Sequence, residues 1–458
     1  MLKRKVISKL TDIVGKENIS TSKEELISYA YDAVNQKFLP EAVVFPANAE
    51  EISRILKLAN QEQFPVIPRG AGSGFTGGAL PVLGGVVLVT TRLNRIIEID
   101  TDNLTAVVEP GVICGEFQKE VEKYGLYYPP DPASLAFSTL GGNVAECAGG
   151  PSALKYGVTR DYVTGVEVVL PTGEILNLGV RTLKGVVGYD LTRLIVGSEG
   201  TLAIITKIYL RLIPKPPATV TLLILFKRIE DSAKTVSAII RSKIIPAKLE
   251  LMDKSSIECV NNYRPLNFPE DTRALLLIEL DGEPTVIEKE AKEVTQICFG
   301  QGAFKVECAA NEKEALNLWE IRRAVSPALL LLNLSKINED VVVPRSKIPQ
   351  LIHQIEEIKQ RYQITIICFG HAGDGNLHVN VMYDDKTSGE RERAEEAIRE
   401  IFQAVLELGG TISGEHGIGI TKAPFLRMEL QAAEIELMKK IKRIFDPYDI
   451  LNPGKIFI

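Results

Sequence analysis

The chain has 458 residues and a mass of 50.3 kDa, which is too much for one ordinary core and predicts two domains. Its 53 basic and 59 acidic side chains give a net charge of −6. The chain therefore lacks the excess of positive charge that attracts nucleic acids and anionic lipids, which argues against both as partners. No segment approaches the ~20 apolar residues of a membrane span and the N-terminus lacks a signal peptide's apolar core, so we expect a cytoplasmic protein.

Periodicity and turn residues predict alternating strands and helices in the first part of the chain. Apolar residues at helical spacing predict a helix over 49–60 that ends before Pro65. The other predicted elements are a strand over 64–67, strands over 86–91, 95–99 and 105–112, a helix over 114–124, a hairpin over 163–176 and a strand over 200–213. Three prolines over 214–217 then predict a domain boundary.

Beyond this boundary the pattern is typical of antiparallel strands combined with helices. Strands are predicted over 219–226, 247–253, 273–280, 364–370 and 376–382, and helices over 231–243, 284–297, 313–334, 347–361, 386–408 and 430–445. We therefore predict an α+β fold with a first domain over 1–215, a second domain built on an antiparallel sheet over 216–420, and a C-terminal helical return over 421–458.

The stretch 67-IPRGAGSGFTGGALP-81 matches the GxGxxG pattern of dinucleotide-binding loops. In a Rossmann fold those glycines lead into a helix whose N-terminus binds the pyrophosphate. Here Gly77, Gly78 and Pro81 follow, and such residues cannot continue a helix. The stretch is therefore either an anion-binding nest for a diphosphate or a glycine-rich turn between strands.

Two further glycine clusters favour the nest. They are 140-LGGNVAECAGGP-151 and 197-GSEG-200. Three loops rich in exposed backbone suit a long, flat dinucleotide, so FAD fits this chain better than a mononucleotide does.

Three of the four histidines lie in two short motifs, 370-GHAGDGNLHVN-380 and 413-SGEHGIG-419. Glycines flank Asp374, so the turn can bring His371 and His378 together, and Glu415 adds a carboxylate next to His416. Two imidazoles and a carboxylate suit zinc, manganese or iron. The alternative is that these histidines cap turns or satisfy a core network. The fourth, His353, has the spacing of a helix-surface residue.

Six motifs in order give the chain a resemblance over nearly its whole length. They are PRGAGSGFTGG, STLGGNVAECAGGPSALKYGVTRDYV, GSEGTLAIIT, FGHAGDGNLHVNV, SGEHGIG and FDPYDILNPGK. The chain resembles the FAD-linked 2-hydroxyacid dehydrogenases of the glycolate oxidase D-subunit and D-lactate dehydrogenase type, in the vanillyl-alcohol oxidase flavoprotein superfamily. The resemblance implies that residues 1–215 bind FAD, that 216–420 form a substrate-binding cap with a metal site, and that 421–458 return to the FAD domain.

The same resemblance implies a set of FAD contacts. The diphosphate would lie on Pro68, Arg69, Gly70, Ala71, Gly72, Ser73, Gly74, Gly77 and Gly78. The flavin and ribityl chain would lie on Pro130, Asp131, Ser134, Thr139, Gly141, Gly142, Asn143, Ala148 and Gly149, with Asn452 near the flavin and Glu199, Gly200 and Ile205 near the adenosine. Some relatives tether the flavin through a histidine where this chain has Ser73, so binding should be non-covalent.

The resemblance further implies that His371, His378 and Glu415 hold a divalent metal. His416 would be the base and Arg322 would bind the substrate carboxylate, while Arg323 is expected on a solvated helix face. The reaction would transfer the hydride of a D-2-hydroxyacid to flavin N5.

The position of Lys336 relative to Pro344 does not match the lysine that binds a second carboxylate in some relatives, which favours D-lactate or glycolate over a dicarboxylate.

Electrons must then leave for a separate acceptor. The six cysteines contain no CxxC pair and so predict no iron–sulfur cluster in this chain. An electron-transferring flavoprotein, an iron–sulfur subunit or a quinone is the expected acceptor in this family. The alternative is a non-catalytic flavin-binding subunit of a glycolate oxidase-type complex, although such subunits tend to lose the histidine motifs that this chain retains.

Overall fold

The computed structural model describes residues 2–34 and 36–457. The α-helices in these ranges are α1 (Arg4–Val14), α2 (Lys23–Ser28), α3 (Ala49–Glu62), α4 (Cys114–Glu122), α5 (Leu140–Glu146), α6 (Ala153–Tyr156), α7 (Leu191–Ile195), α8 (Ile229–Arg241), α9 (Lys254–Tyr263), α10 (Pro284–Gly300), α11 (Glu312–Arg323), α12 (Val325–Leu329), α13 (Ile348–Tyr362), α14 (Glu390–Glu407), α15 (Leu426–Glu429) and α16 (Ala432–Phe445). None of the helices in the described ranges is long and apolar enough to span a bilayer.

The strands range from two to nine residues in length. They are β1 (Ile19–Ser20), β2 (Ala42–Val44), β3 (Val66–Arg69), β4 (Val86–Val89), β5 (Ile96–Asp100), β6 (Thr105–Val108), β7 (Leu126–Tyr127), β8 (Val163–Val169), β9 (Ile175–Gly179), β10 (Ile204–Arg211), β11 (Ile213–Pro214), β12 (Ala218–Phe226), β13 (Lys248–Asp253), β14 (Ala274–Gly282), β15 (Ala303–Cys308), β16 (Ser335–Val342), β17 (Thr365–His371) and β18 (Asn376–Tyr383).

The chain divides into two compact units. The first unit comprises the residues up to Gly149, Val158–Lys215, and the segment from Glu415 to the end of the described chain. The second unit comprises Gly150–Gly157 and Pro216–Gly414. The second unit thus ends at Gly414 rather than at residue 420, and it also includes the segment of α6.

Two sheets organise the first unit. The first has the order β1-β2-β4-β3, with β2, β4 and β3 parallel, and the second is the antiparallel sheet β5-β6-β10-β8-β9. Helix α3 begins where the Asn48 side chain accepts a hydrogen bond from Glu51 N at 2.8 Å, a typical N-cap. Its Ile52 and Ile55 are completely buried in the core against the first sheet. Each such side chain contributes about 1.5–3 kcal/mol to stability.

A seven-stranded antiparallel sheet, β15-β12-β14-β13-β17-β18-β16, forms the second unit. Leu225 and Met252 share a core with Trp319 of α11 and Val325 of α12. Leu251, on the alternate face of β13, is also buried. Because both faces of the central strands are covered, these strands appear in the sequence as nearly continuous apolar runs.

The glycine-rich residues 140–146 form the helix α5 rather than the predicted loop. Thr139 caps this helix, because its side chain accepts a hydrogen bond from Gly142 N at 3.3 Å. A Cβ added to Gly141 would lie 2.9 Å from Pro110 O. Gly141 therefore permits close helix packing here and does not form a turn.

Helix α9 and the strands β15 and β16 lie outside the predicted elements. Helix α9 is capped by Asp253, whose carboxylate accepts a hydrogen bond from Ser256 N at 2.7 Å. The predicted helix over 313–334 is interrupted at Ala324. The interruption has a local cause, because Pro327 has no N–H to donate to the carbonyl of Arg323.

Candidate functional site

The first glycine loop follows β3 and no helix follows it, as the sequence predicts. Gly72 and Gly77 have φ values of +69° and +81°, which favour glycine. A Cβ added to Gly70 would overlap Thr139 Oγ1 at the start of α5. The backbone of this loop therefore packs directly against the second glycine cluster.

Buried donors next to this loop fit an anionic, polar cofactor. Arg69 is buried and its Nη2 donates to Tyr31 O at 2.9 Å. Arg69 Nη1 and Asn143 Nδ2 are both buried without a hydrogen-bond partner among the described residues. Diphosphate oxygens and the flavin carbonyl groups are acceptors that such donors satisfy, so the residues present fit FAD.

The C-terminal return and the third glycine cluster also meet this loop. Asn452 Nδ2 donates to Gly78 O at 2.9 Å and to Glu199 O at 2.8 Å. A Cβ added to Gly200 would lie 2.7 Å from Pro68 Cγ. The remaining predicted contacts in this unit lie on the loop after β3 (Ala71, Ser73, Gly74), between β7 and α5 (Pro130, Asp131, Ser134), after α5 (Ala148, Gly149) and on β10 (Ile205).

Two carboxyl groups lie beneath the glycine loop: the buried Glu199, which the resemblance places near the adenosine, and the half-buried Glu146, which the motifs do not indicate. Burial and then the charge of Glu199 raise the pKa of Glu146 well above its usual value. Burial also raises the pKa of Glu199, although this side chain accepts hydrogen bonds from Ile418 N at 2.8 Å and Gly419 N at 2.7 Å. These two bonds fix the chain immediately after His416.

His416 is held against the glycine loop within the first unit. Its ring stacks on Phe75, with centroids 5.1 Å apart and an interplanar angle of 26°. Thr76 Oγ1 donates to His416 O at 3.1 Å, and Ile420 N donates to Thr76 O at 2.8 Å. The imidazole is thus placed by contacts on both sides of residue 416.

In the second unit, the hairpin β17–β18 brings His371 and His378 together. Their Nε2 atoms are 3.4 Å apart and both rings are buried. Two ligands at about 2.0–2.1 Å from a tetrahedral ion lie about 3.3–3.4 Å apart, so this spacing fits one shared cation. Glu415, the third predicted ligand, directly follows Gly414, the last residue of the second unit.

A carboxylate absent from the predicted site, Glu250 on β13, contacts two of its members. His371 Nδ1 donates to Glu250 Oε1 at 2.5 Å, and Arg322 Nε donates to Glu250 Oε2 at 2.6 Å. Burial would raise the pKa of Glu250, but the charges of His371 and Arg322 and the hydrogen bonds from both lower it to about 2. Arg323 instead lies on the exposed face of α11, paired with Glu320 at 2.8 Å.

Asp340 on β16 anchors the chain just before Glu415. It lies opposite His378 in the antiparallel register, and its Oδ2 accepts a hydrogen bond from Gly414 N at 2.8 Å. Lys336 lies on the same face of β16, opposite Met382. The strand β16 has the mostly polar sequence SKINEDVV, so the sequence gives no signal that identifies Asp340.

We expect Gly375→Ala to lower the free energy of unfolding by about 2–4 kcal/mol. Gly375 has φ +93°, and an added Cβ would overlap Val343 O, which would force β16 away from the histidine hairpin. Gly389→Ala is the matched control, because Gly389 has φ +81° but nothing lies within 4 Å of its added Cβ. This control should lose only about 1–2 kcal/mol. Equal losses in denaturant unfolding of the two variants would contradict the steric argument.

Family models agree with this architecture. Residues 40–179 match the model described as "FAD binding domain", and residues 215–456 match "FAD linked oxidases, C-terminal domain". The chain belongs to the FAD-linked oxidases. These matches confirm the family and the FAD domain predicted from the motifs.

This FAD-linked oxidase is also similar to curated proteins over nearly its whole length. It is 47% identical over its full length to "Glycolate oxidase subunit GlcD" of Bacillus subtilis (strain 168), covering 97% of that protein. It is 36% identical to the "D-lactate dehydrogenase" of Anaerostipes hadrus, with 93% of this chain and 91% of the relative covered. The crystal structure of p-cresol methylhydroxylase has a TM-score of 0.81 at 20% identity, covering 99% of this chain and 96% of that one. The chain therefore shares the fold of p-cresol methylhydroxylase.

Proposed function

We propose that this FAD-linked oxidase oxidises a small D-2-hydroxyacid, D-lactate or glycolate, to the corresponding 2-oxoacid. The observation that carries the proposal is the pair of buried histidine Nε2 atoms 3.4 Å apart, joined through Glu250 to the guanidinium of Arg322. This arrangement offers a cation site and a carboxylate-binding group together. The names of the relatives, glycolate oxidase subunit and D-lactate dehydrogenase, support this substrate class.

Each residue has a proposed role. Bound FAD supplies the two-electron acceptor, and a divalent cation, zinc, manganese or iron, supplies a Lewis acid for the hydroxyl group. His371, His378 and Glu415 hold that cation. Arg322 uses Nε for Glu250, which leaves its two Nη groups for the substrate carboxylate. His416, as a neutral imidazole, accepts the hydroxyl proton while the C2 hydride leaves with its electron pair.

We further propose that the reduced flavin passes its electrons to a separate partner. The word "subunit" in the name of the Bacillus subtilis relative supports a protein partner. An electron-transferring flavoprotein or an iron–sulfur subunit would accept one electron at a time, and a quinone would accept both. The buried histidine pair and its acid partner favour this catalytic assignment over a non-catalytic flavin-binding subunit.

An anaerobic absorption titration tests the proposal. The FAD-loaded protein is titrated with D-lactate, L-lactate, glycolate and D-2-hydroxyglutarate, before and after treatment with a chelator. We expect D-lactate or glycolate to bleach the flavin spectrum and the chelator to suppress the bleaching. A flavin that none of these acids reduces would reject the proposed substrate class, and reduction that is unchanged after removal of all bound metal would reject the metal site.

A further inference from the structure

Glu250 is a charged side chain inside an apolar sheet. It lies on the central strand β13, it is completely buried, and its cross-strand neighbour on the same face is Leu277. Met252, two residues further along the same face, belongs to the apolar core. A carboxylate in such surroundings is costly unless both oxygens have partners.

Both oxygens of Glu250 have partners, and each partner has a role in the proposed function. Oε1 accepts from His371 Nδ1 at 2.5 Å, and Oε2 accepts from Arg322 Nε at 2.6 Å. Because an ionised carboxylate only accepts, His371 must carry its proton on Nδ1. In the neutral imidazole, the form that binds a cation, the lone pair of His371 is then on Nε2, the atom that lies 3.4 Å from His378 Nε2.

Glu250 also fixes the orientation of the Arg322 side chain. Its guanidinium carbon lies 4.6 Å from the ring centroid of Phe369, so the side chain is held between an aromatic face and the carboxylate. With Nε engaged, the orientation of the planar guanidinium relative to Glu250 is fixed.

We propose that Glu250 is a positioning residue that aligns two binding groups with one carboxylate: the metal ligand His371 through Oε1 and the carboxylate-binding Arg322 through Oε2. This inference rests on the proposed function, because it assumes that His371 binds a cation. It predicts that loss of Glu250 weakens both cation binding and hydroxyacid binding, although Glu250 touches neither ligand.

The test uses Glu250→Gln in the full-length, FAD-loaded protein. An amide can accept from only one of the two donors and turns its NH₂ group toward the other. We expect Mn²⁺ binding, measured from the electron paramagnetic resonance signal of the free ion, to weaken about 10–100-fold. At saturating Mn²⁺, the KM for D-lactate or glycolate should rise more than kcat falls, because the carboxylate-binding group is also misaligned.

Glu279→Gln is the matched control. Glu279 lies on the neighbouring strand β14 and is half-buried, and it joins the same two elements, accepting from Trp319 Nε1 of α11 at 2.8 Å and pairing with Lys248 of β13 at 3.0 Å. It contacts neither a histidine nor Arg322. Its variant should bind Mn²⁺ within about threefold of wild type.

Glu250→Asp covers the case in which the glutamine variant does not fold. It keeps the negative charge near Arg322 but withdraws the carboxylate by about 1.5 Å, so that it cannot reach both donors. We expect a wild-type circular dichroism spectrum with weakened Mn²⁺ binding.

Three results would overturn the inference. Wild-type Mn²⁺ affinity in a folded Glu250 variant would show that Glu250 does not position His371. An equal loss in Glu279→Gln would show that the effect is general to the sheet. Absence of Mn²⁺ and Zn²⁺ binding by the wild-type protein would reject the proposed metal site as well, and this outcome is distinct from the first two.

Discussion

Replacement of His378 by alanine is expected to abolish cation binding and to slow flavin reduction by the hydroxyacid roughly a thousandfold, the equivalent of about 4 kcal/mol of transition-state stabilisation. The reason is that the cation would retain only one imidazole and one carboxylate. His378 is a better choice than His371, because His371 also contacts Glu250 and its loss would disturb Arg322. The measurements are the metal content after dialysis and the rate of anaerobic flavin bleaching by stopped flow.

His353→Ala is the control for this change. His353 lies exposed on α13 and pairs with Glu357 at 3.4 Å, so its loss should leave metal content and flavin reduction unchanged. The absorption spectrum of bound FAD should be the same in both variants, because neither His378 nor His353 is among the predicted FAD contacts. Stoichiometric metal in His378→Ala, or reduction within a few fold of wild type, would contradict the assignment.

The parts of this site that sequence could predict are those in which the chemistry is local. The loop over residues 70–78 needs glycines for positive φ and close packing, so its glycine-rich composition predicts its backbone geometry. His371 and His378 are separated by one hairpin turn. His371 lies opposite Asn376, so antiparallel register makes His378 its diagonal neighbour on the same face of the hairpin. The matches to two FAD-linked families agree with these local patterns.

The parts that sequence could not predict depend on contacts between distant segments. Glu250 is 121 residues from His371, and nothing near it in the chain indicates a partner. Asp340 accepts a hydrogen bond from Gly414 N, which is 74 residues away in the chain. The glycines of α5 predict a loop, because composition does not distinguish a glycine needed for a turn from one needed for close packing. In each case the determining interaction is tertiary.

Replacement of His416 by alanine is expected to lower the rate of flavin reduction about 10²–10⁴-fold while FAD remains bound, because the proposed base is lost and the cofactor loops are not. The ring rests on Phe75, while Glu199 and Thr76 hold the following backbone through Ile418, Gly419 and Ile420, so the backbone should keep its path without the imidazole. The measurement is single-turnover reduction at saturating hydroxyacid and metal.

The same variant offers a test that separates a base from a structural residue. Alanine at position 416 leaves space beside Phe75 that free imidazole can enter, so added imidazole should restore part of the reduction rate in a concentration-dependent way. Glu199→Gln serves as the structural comparison, because it disturbs the same backbone through Ile418 N and Gly419 N but leaves the imidazole present. Its rate should not respond to imidazole. If His416→Ala turns over within a few fold of wild type, or if both variants respond alike, the proton is accepted by another group and His416 only packs against the glycine loop.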